Sequence, residues 1–166
     1  MNKLYVMVGI PGSGKDYWIK DFVKLEKYLN PDKTIKVVSR DEVRFSIIKD
    51  EDGYFSKENE VFKEFTKQIN DSLAVNDITI ANATHISAAS RAKLLKNLKG
   101  LKDVHVCAIV KKVDTDICIA QNNNRTGRAR VPEDAILNMA RNFTIPVKNE
   151  GFNDIVIFDR ENNILN

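Results

Sequence analysis

Short apolar runs alternate with longer segments of helical periodicity along this chain of 166 residues. Five runs have the length and β-branched content of buried strands, and they predict strands at residues 3–8, 34–39, 78–81, 104–111 and 154–158. Because helical patterns separate these runs, the sequence predicts an α/β fold, a three-layer sandwich of a five-stranded parallel sheet with helices on both faces. No internal repeat or low-complexity linker interrupts the alternation, which favours a single domain over residues 1–166.

The segments between the strands repeat an apolar residue every three or four positions, which is typical of amphipathic helices. Helices are predicted directly after the first strand, at residues 58–75, 88–98 and 114–123, and from Pro132 onward. Three of them show a clear apolar face: Trp18, Phe22, Leu25 and Leu29 in the first; Phe62, Phe65, Ile69 and Leu73 in the second; Ile136, Met139, Ala140 and Phe143 in the last. The polar, glycine-containing segment 49–57 predicts a loop.

Composition narrows the class of protein more than it identifies a function. A hydrophobic content of 43% and a charged content of 30% are typical of a soluble globular domain, and no apolar stretch is long enough to span a membrane. The net charge of +3 permits a polyanionic partner without requiring one. Cys107 and Cys118 lie in apolar contexts and predict reduced core thiols, while His85 and His105 are too isolated for a metal site. With an N-terminus that is a core strand rather than a signal peptide, we expect a cytoplasmic protein.

The first strand leads directly into a glycine-rich segment, Gly9-Ile10-Pro11-Gly12-Ser13-Gly14-Lys15-Asp16, and a helical pattern starts at once. Such a loop points consecutive backbone N–H groups at an anion, and the following helix adds its unpaired N-terminal donors. Lys15 supplies a point charge for the β- and γ-phosphates of a nucleotide. A glycine-rich turn in an unrelated protein is the alternative, and the flanking strand and helix disfavour it. The segment predicts binding of ATP or GTP through Gly9, Pro11, Gly12, Ser13, Gly14, Lys15 and Asp16.

Polar residues also follow the second and third predicted strands. Asp41 and Asn82 stand where Lys15 stands after the first strand, immediately beyond the apolar run. Because the carboxyl ends of parallel strands lie at one edge of a sheet, we expect the three side chains to converge there on one site.

The segment Ser39-Arg40-Asp41-Glu42-Val43-Arg44 predicts the acceptor side of a kinase site. Asp41 suits a general base, because its carboxylate can accept the proton of an incoming hydroxyl as the phosphoryl group transfers. Arg40 and Arg44 are predicted to bind the substrate, with Arg44 on the same helix face as Asp41 and able to clamp a phosphate. In the alternative interpretation Asp41 only caps the helix and the arginines are solvated.

Two positions near the predicted nucleotide carry unusual residues. The glycine loop ends in Asp16, where Ser or Thr is expected, and the third strand ends in Asn82, where Asp is expected. One hypothesis is an exchange of partners, in which Asp16 is a direct Mg²⁺ ligand and Asn82 orients a metal-bound water. The other is a loop that has lost efficient metal binding.

Three arginines fall within six residues, Arg125, Arg128 and Arg130, around a central Gly127 between two predicted helices. The segment 124–131 predicts a mobile lid that closes over the nucleotide, so that one arginine neutralises charge on the transferring phosphoryl group or stacks on the base. A solvated basic loop is the alternative.

Four blocks of the chain together resemble the kinase domain of the bacteriophage 5′-hydroxyl polynucleotide kinases and the related bacterial RNA-repair kinases. The blocks are GIPGSGKDYWIKDF, SRDEVRFSI, TIANATHISAASRAKL and NRTGRARVPEDAILNMARNF, and the tail EGFNDIVIF is similar to the last strand of that family. The resemblance covers nearly the whole chain. It implies a P-loop fold and transfer of the γ-phosphate of a nucleoside triphosphate to the 5′-hydroxyl end of DNA or RNA. The phosphatase domain fused to some members is not expected, because the chain ends soon after the fifth strand.

Carried over by position, the resemblance implies that Lys15 contacts the donor phosphates and that Asp41 is the general base. Arg44 would engage the phosphate of the acceptor's 5′-terminal nucleotide, and Arg125 or Arg128 would be the lid arginine that touches the donor.

Two departures accompany the resemblance. The family's loop ends in Lys-Ser or Lys-Thr and its third strand in patterns such as DATN, whereas this chain has Lys15-Asp16 and NATH.

Two alternative functions stay open: a kinase for a small metabolite, nucleoside or nucleotide, and a degenerate nucleotide-binding protein without turnover. A basic, shallow acceptor groove would favour the nucleic acid, and a closed, small pocket would favour the metabolite.

Overall fold

The computed structural model describes residues 1–166 and is built on a five-stranded sheet. The strands are β1 (Asn2–Val8), β2 (Ile35–Ser39), β3 (Ile78–Asn82), β4 (Val104–Lys111) and β5 (Asp154–Phe158). All pairings are parallel, and the strands lie in the order β2-β3-β1-β4-β5. The five predicted strands and the parallel sheet are therefore confirmed, with boundaries that differ by one residue at most.

Six helices connect the strands: α1 (Lys15–Leu29), α2 (Arg40–Ile47), α3 (Glu58–Val75), α4 (Ala88–Lys96), α5 (Thr115–Asn123) and α6 (Glu133–Arg141). Short 3-10 turns occur at Leu101–Asp103, Gly127–Ala129 and Lys148–Glu150. No helix or strand lies between α2 and α3, which confirms the loop predicted at 49–57. None of the helices combines the length and the apolar composition needed to cross a lipid bilayer.

The alternation of side chains along β1 explains why both faces of the sheet are covered. Leu4, Val6 and Val8 point to one face, where they pack with the apolar residues of α3 and α4. Met7 points to the opposite face, where it packs with Trp18 of α1. The predicted three-layer arrangement is confirmed. Both cysteines are buried and unpaired, as predicted.

The predicted inner face of α1 is partly wrong. Trp18 and Ile19 are buried and Phe22 packs against them, but Leu25 and Leu29 are 56% and 60% exposed. The buried stripe includes Ile19 and Val23, which the prediction left out. Because each residue turns a helix by about 100°, a stripe centred between Phe22 and Ile19 places Leu25 at its margin, whereas Leu29 is the last residue of the helix.

Helix α3 follows its predicted face except at one position. Phe65, Ile69 and Leu73 are buried, and Val61 joins them, whereas Phe62 is only half-buried. The Phe62 ring lies instead under two cations, with Arg40 5.7 Å and Lys93 4.3 Å from its centroid.

Candidate active site

A cleft of about 720 Å³ lies at the carboxyl ends of the strands. Residues from five separate segments line it, among them Lys15, Asp16, Asp41, Asn82 and Arg125. The convergence predicted for the ends of the first three strands is thus what the structure shows, and the segment between α5 and α6 adds an arginine. This cleft holds most of the chemically active residues that the sequence singled out.

The glycine loop between β1 and α1 has the backbone that its sequence requires. Gly12 and Gly14 have φ of +81° and +89°, in the left-handed region that glycine adopts without strain. A Cβ on Gly12 would lie 2.2 Å from the carbonyl oxygen of Cys118, so the loop packs directly on the backbone of α5. Pro11, Gly12 and Gly14 line the cleft, while Ser13 is buried behind it.

The N-terminus of α1 is open to an anion. Gly14 occupies the position before the helix, and no side chain caps the first turn. The first backbone N–H groups of the helix therefore remain available to an anionic ligand, which the positive end of the helix dipole also favours.

Lys15 is held against its own loop. Its Nζ donates to the carbonyl oxygens of Gly9 at 2.9 Å and Ile10 at 3.0 Å. Burial lowers the pKa of Lys15 to about 8, while the neighbouring carboxylates of Asp16 and Asp41 oppose that shift. A desolvated ammonium group at this place is ready to interact strongly with phosphate oxygens.

The two residues that depart from the expected pattern contact each other. Asn82 Nδ2 donates to Asp16 Oδ1 at 2.7 Å, which joins the end of β3 to the first turn of α1. The amide oxygen of Asn82 is not used in that bond. Nowhere does the chain gather three or more His, Cys, Asp or Glu side chains in an arrangement that would hold a metal by themselves. An ion at this place would rely on one carboxylate together with phosphate and water oxygens, which is how Mg²⁺ is usually bound.

Asp41 has one occupied and one free carboxylate oxygen. Its Oδ1 accepts hydrogen bonds from Arg44 Nη1 and from the Tyr54 hydroxyl, the latter at 2.8 Å. Oδ2 accepts no hydrogen bond from the protein, and about half of the side chain is exposed to the cleft. Burial raises the pKa of Tyr54, so its hydroxyl stays protonated and donates.

Ser39, not Asp41, caps α2 by accepting from the backbone N–H of Glu42, which removes the alternative that Asp41 is only a cap.

Arg44 is buried and its donors are largely committed. Nε and Nη2 donate to the two carboxylate oxygens of Glu58 at 2.9 Å and 3.2 Å, and Nη1 donates to Asp41 and Tyr54. Arg40 also donates to Glu58, at 2.9 Å. The predicted phosphate clamp therefore has little free capacity in this arrangement, and what Arg44 visibly does is hold Asp41 in place. Binding of the acceptor by Arg40 and Arg44 stays a prediction.

Tyr54 and Glu58 belong to the site although neither was predicted to. Tyr54 belongs to the segment that was predicted only as a loop, and Glu58 is the first residue of α3. For Tyr54 a signal was available, a pair of aromatic residues in an otherwise polar loop. The pairing of Glu58 with the arginines of α2 has no local signal in the sequence.

The arginines of the segment 124–131 separate into two groups. Arg125 lines the cleft. Its positive charge adds to the lowering of the Lys15 pKa and opposes the rise of the Tyr54 pKa, although burial is the larger cause of both shifts. Arg128 turns toward α2, where Nη2 donates to the carbonyl oxygens of Phe45 at 3.2 Å and Ile48 at 2.7 Å. Arg125 thus shares the cleft with Lys15, and Arg128 fastens the segment to α2. A role of either arginine on the transferring group stays a prediction. The mobility of the lid stays a prediction.

Lys111, at the end of β4, is a further polar residue that the sequence did not reveal. Its side chain is buried, and Nζ donates to Asp159 O at 2.5 Å and Asn162 Oδ1 at 2.6 Å. A Cβ on Gly14 would lie 3.6 Å from its Cε. The ammonium group therefore holds the turn after β5, and the side chain runs close beneath the glycine loop.

Comparison with known proteins agrees with this geometry. The sequence model of a family described as an AAA domain matches residues 4–146. The structure is similar to Chaetomium thermophilum Kti12 in complex with ADP-AlF3, with 14% identity over 94% of this chain and 88% of that chain and a TM-score of 0.71. It is also similar to a chain of the Pnkp1/Rnl/Hen1 RNA repair complex, with 20% identity over 85% of this chain and a TM-score of 0.67.

A third similar structure is an unliganded sugar kinase from Janibacter sp. HTCC2649, with 12% identity over 97% of this chain and 87% of that chain and a TM-score of 0.64. The chain spans only 43% of the RNA-repair chain that it matches. No curated protein sequence matches it at a significant level. At these identities the likeness establishes the fold, and the fold does not by itself determine the acceptor.

Proposed function

The chain belongs to the AAA domain family and is a P-loop kinase-type domain, and from this premise we propose that it transfers the γ-phosphate of a nucleoside triphosphate to the 5′-hydroxyl end of a nucleic acid. The observation that carries the proposal is the placement of Asp41. Its free Oδ2 lies in the same cleft as the glycine loop and Lys15, so a base and a phosphate-binding loop share one site.

On the donor side, the glycine loop and the N-terminus of α1 would bind the phosphates of ATP or GTP. Lys15 would exchange its carbonyl partners for the β- and γ-phosphate oxygens. Asp16 and Asn82 would hold Mg²⁺, directly through the carboxylate and through a water at the amide oxygen. When bound, the ion neutralises charge on the phosphates.

On the acceptor side, Asp41 Oδ2 would accept the proton of the attacking hydroxyl. The new bond joins that oxygen to the γ-phosphorus, the bond from the γ-phosphorus to the β–γ bridging oxygen breaks, and the nucleoside diphosphate leaves. Arg125 would stabilise the negative charge on the transferring group. Tyr54 and Arg44 position Asp41 and are not themselves proposed to touch the reacting atoms.

A specific observation favours a second candidate function. The arginines beside Asp41, Arg40 and Arg44, are both paired with Glu58, and Arg44 also with Asp41, so two carboxylates offset two guanidinium groups at this end of the cleft. A protein that binds a polyanion is expected to have a groove lined by basic side chains without acidic partners. An acceptor end with paired charges is compatible with a nucleoside or another small uncharged hydroxyl compound, and the acceptor panel must include both classes.

The test is incubation with γ-labelled ATP, Mg²⁺ and a panel of 5′-hydroxyl DNA and RNA oligonucleotides, nucleosides and sugars. We expect label on the oligonucleotides, with kcat/KM above that for nucleosides. Label on nucleosides or sugars alone would replace the proposal with the second candidate. Nucleotide binding without any transfer, in Mg²⁺ or Mn²⁺, would indicate a protein that binds nucleotide without turnover.

Two variants test the assignment of Asp41 as the general base. Asp41→Asn should bind ATP with unchanged affinity and lose about 10²- to 10⁴-fold in kcat, the usual contribution of general acid–base catalysis. Glu42→Gln removes the neighbouring carboxylate, which is exposed and also lines the cleft, and should keep kcat within about threefold. Normal turnover by Asp41→Asn would show that another group takes the proton.

A further inference from the structure

Three aromatic rings form a continuous surface beside Asp41. Phe45 of α2 meets Tyr54 at 6.1 Å between ring centroids, and Tyr54 meets Phe55 at 4.6 Å, both edge-to-face. All three residues line the cleft, and Phe55 is 40% exposed. We call Phe45, Tyr54 and Phe55 the aromatic platform. Three adjoining rings in one cleft, one of them partly exposed, offer a contiguous aromatic surface to a ligand.

The platform lies one hydrogen bond away from the proposed base. The Tyr54 hydroxyl donates to Asp41 Oδ1, so the ring that belongs to the platform also fixes the carboxylate. An acceptor molecule whose hydroxyl reaches Asp41 Oδ2 must therefore place its neighbouring atoms near these rings.

The charges around the platform do not offer a phosphate site. The guanidinium of Arg44 lies 4.5 Å from the Tyr54 ring centroid and 5.7 Å from that of Phe55, but its donors go to Asp41, Tyr54 and Glu58. Arg128 lies 4.9 Å from the Phe45 ring centroid and is bound to backbone carbonyls of α2. Arg44 is compensated by Asp41 and Glu58, and Arg128 pairs with Asp50 at 3.5 Å, so neither guanidinium is free for a phosphate. The exposed part of the Phe55 ring is what remains for contact with a ligand.

We propose that the aromatic platform binds the nucleobase of the acceptor's 5′-terminal nucleoside by stacking, an inference that rests on the proposed function. A planar base offers a π face of the size of these rings, and such stacking is largely independent of base identity. A sugar acceptor would need hydrogen-bond partners for its hydroxyls, and the one hydroxyl of the platform already donates to Asp41. The base on C1′ and the 5′-carbon on C4′ are attached to different carbons of one ribose ring, so a stacked base and a 5′-hydroxyl directed at Asp41 are compatible.

The test compares two oligonucleotides that differ only at the 5′-terminal residue, which carries a base in one and is abasic in the other. With the wild-type protein we expect kcat/KM for the normal oligonucleotide to exceed that for the abasic one by about tenfold or more, the usual effect of one stacked base. Phe55→Ala should remove this preference by slowing the normal substrate alone, and Phe55→Trp should retain it. Tyr28→Ala, which removes a ring that is 83% exposed on α1, outside the residues that line the cleft, should change neither substrate.

Measurements of oligonucleotide binding test the aromatic platform independently of phosphoryl transfer. The dissociation constants of both oligonucleotides are measured by fluorescence anisotropy with the Asp41→Asn protein and ATP. A preference of about tenfold for the normal oligonucleotide supports the platform even if the wild type transfers no label, in which case the proposed function alone fails. Equal affinity and equal kcat/KM for the two oligonucleotides would overturn the platform and leave the proposed function standing.

Discussion

The side-chain amide of Asn82 donates a 2.7 Å hydrogen bond to the carboxylate of Asp16, although 66 residues separate them in the chain. The contact brings together the two positions at which the chain departs from the usual P-loop kinase pattern. One carboxylate and one neutral oxygen-bearing side chain therefore lie together at the end of the glycine loop, with the acid supplied by the loop instead of the strand.

We predict that the two departures are coupled. Asp16→Ser removes the only carboxylate of the pair, and Asn82→Asp places two carboxylates in contact, so each should raise the Mg²⁺ concentration needed for half-maximal activity and weaken Mg²⁺-dependent ATP binding. The double variant restores the usual pair and should recover part of both losses, by about 0.5–3 kcal/mol of coupling free energy. Calorimetric titration of ATP with and without Mg²⁺ measures the binding part without relying on turnover.

Asp21→Ser is the matched control, because Asp21 is an exposed acid one turn further along α1. It should alter neither Mg²⁺ dependence nor ATP affinity. Strictly additive losses in the double variant would show that Asp16 and Asn82 act independently and that no exchange of partners has occurred.

A second prediction concerns pH and Lys15. Burial lowers the pKa of this group to about 8, so the free protein loses the ammonium charge as the pH rises through that value. A bound triphosphate favours the charged form, and affinity for ATP should therefore fall above pH 8, by up to about tenfold per pH unit. Titration calorimetry from pH 7 to pH 9.5 measures it. Lys15→Arg keeps its charge throughout this range and should give a flatter profile with the same ATP titration.

The same pKa shift predicts that folding stability changes with pH in the opposite direction to ATP affinity, which gives an independent test of the shift. An unfolded lysine keeps its proton to about pH 10.5, so between pH 8 and that value the unfolded chain binds more protons at this position than the folded chain does. The contribution of Lys15 to the free energy of unfolding should therefore increase as the pH rises through this window. In denaturant titrations at pH 7.5 and 9.5, the free energy of unfolding of the wild type should rise relative to that of Lys15→Met at the higher pH.

Local signals explain what could be predicted from the sequence. Buried parallel strands read as continuous apolar runs, and for this reason β4 and β5 were predicted with their observed bounds. The glycine loop is a local motif whose backbone depends on Gly12 and Gly14. The rule that ligands bind at the carboxyl ends of parallel strands then placed Asp41 and Asn82 in the same cleft.

What could not be predicted depends on contacts between segments. The pairing of Arg44 with Glu58 follows from how the loop after α2 folds back onto α3, and no periodicity encodes that path. The inward stripe of α1 depends on how the helix lies on the sheet, which buries Ile19 and exposes Leu25. The different directions of Arg125 and Arg128 likewise require the packing of their segment against α2.

A third prediction separates the two arginines. Arg125→Ala should lower kcat by about 10²- to 10³-fold, the usual loss when one charge-stabilising donor is removed from a reacting site, while ATP affinity falls much less. Arg128→Ala removes hydrogen bonds to the end of α2 and should reduce kcat by less than tenfold. Single-turnover rates measure the chemical step in both variants. A larger loss of that step in Arg128→Ala than in Arg125→Ala would reverse the assignment.

The last prediction concerns how Asp41 is held. Tyr54→Phe removes the hydroxyl that donates to Oδ1 but keeps the ring, so the aromatic platform and its contact with Arg44 remain. A hydrogen bond to a charged group contributes about 1.5–3 kcal/mol, so the single-turnover rate should fall about tenfold or more, with the KM for ATP unchanged. A purely structural part for Tyr54 would instead lower the unfolding midpoint without a specific loss of rate.

Combining Tyr54→Phe with Asp41→Asn distinguishes these two roles. If the hydroxyl acts by positioning the carboxylate, then removing it after the base is gone should cost almost nothing, because there is no longer a base to orient. The two single losses should therefore be strongly non-additive in the free energy of activation. Additive losses would mean that Tyr54 contributes to the reaction independently of Asp41, for example through the acceptor, and that the hydrogen bond to Oδ1 is incidental.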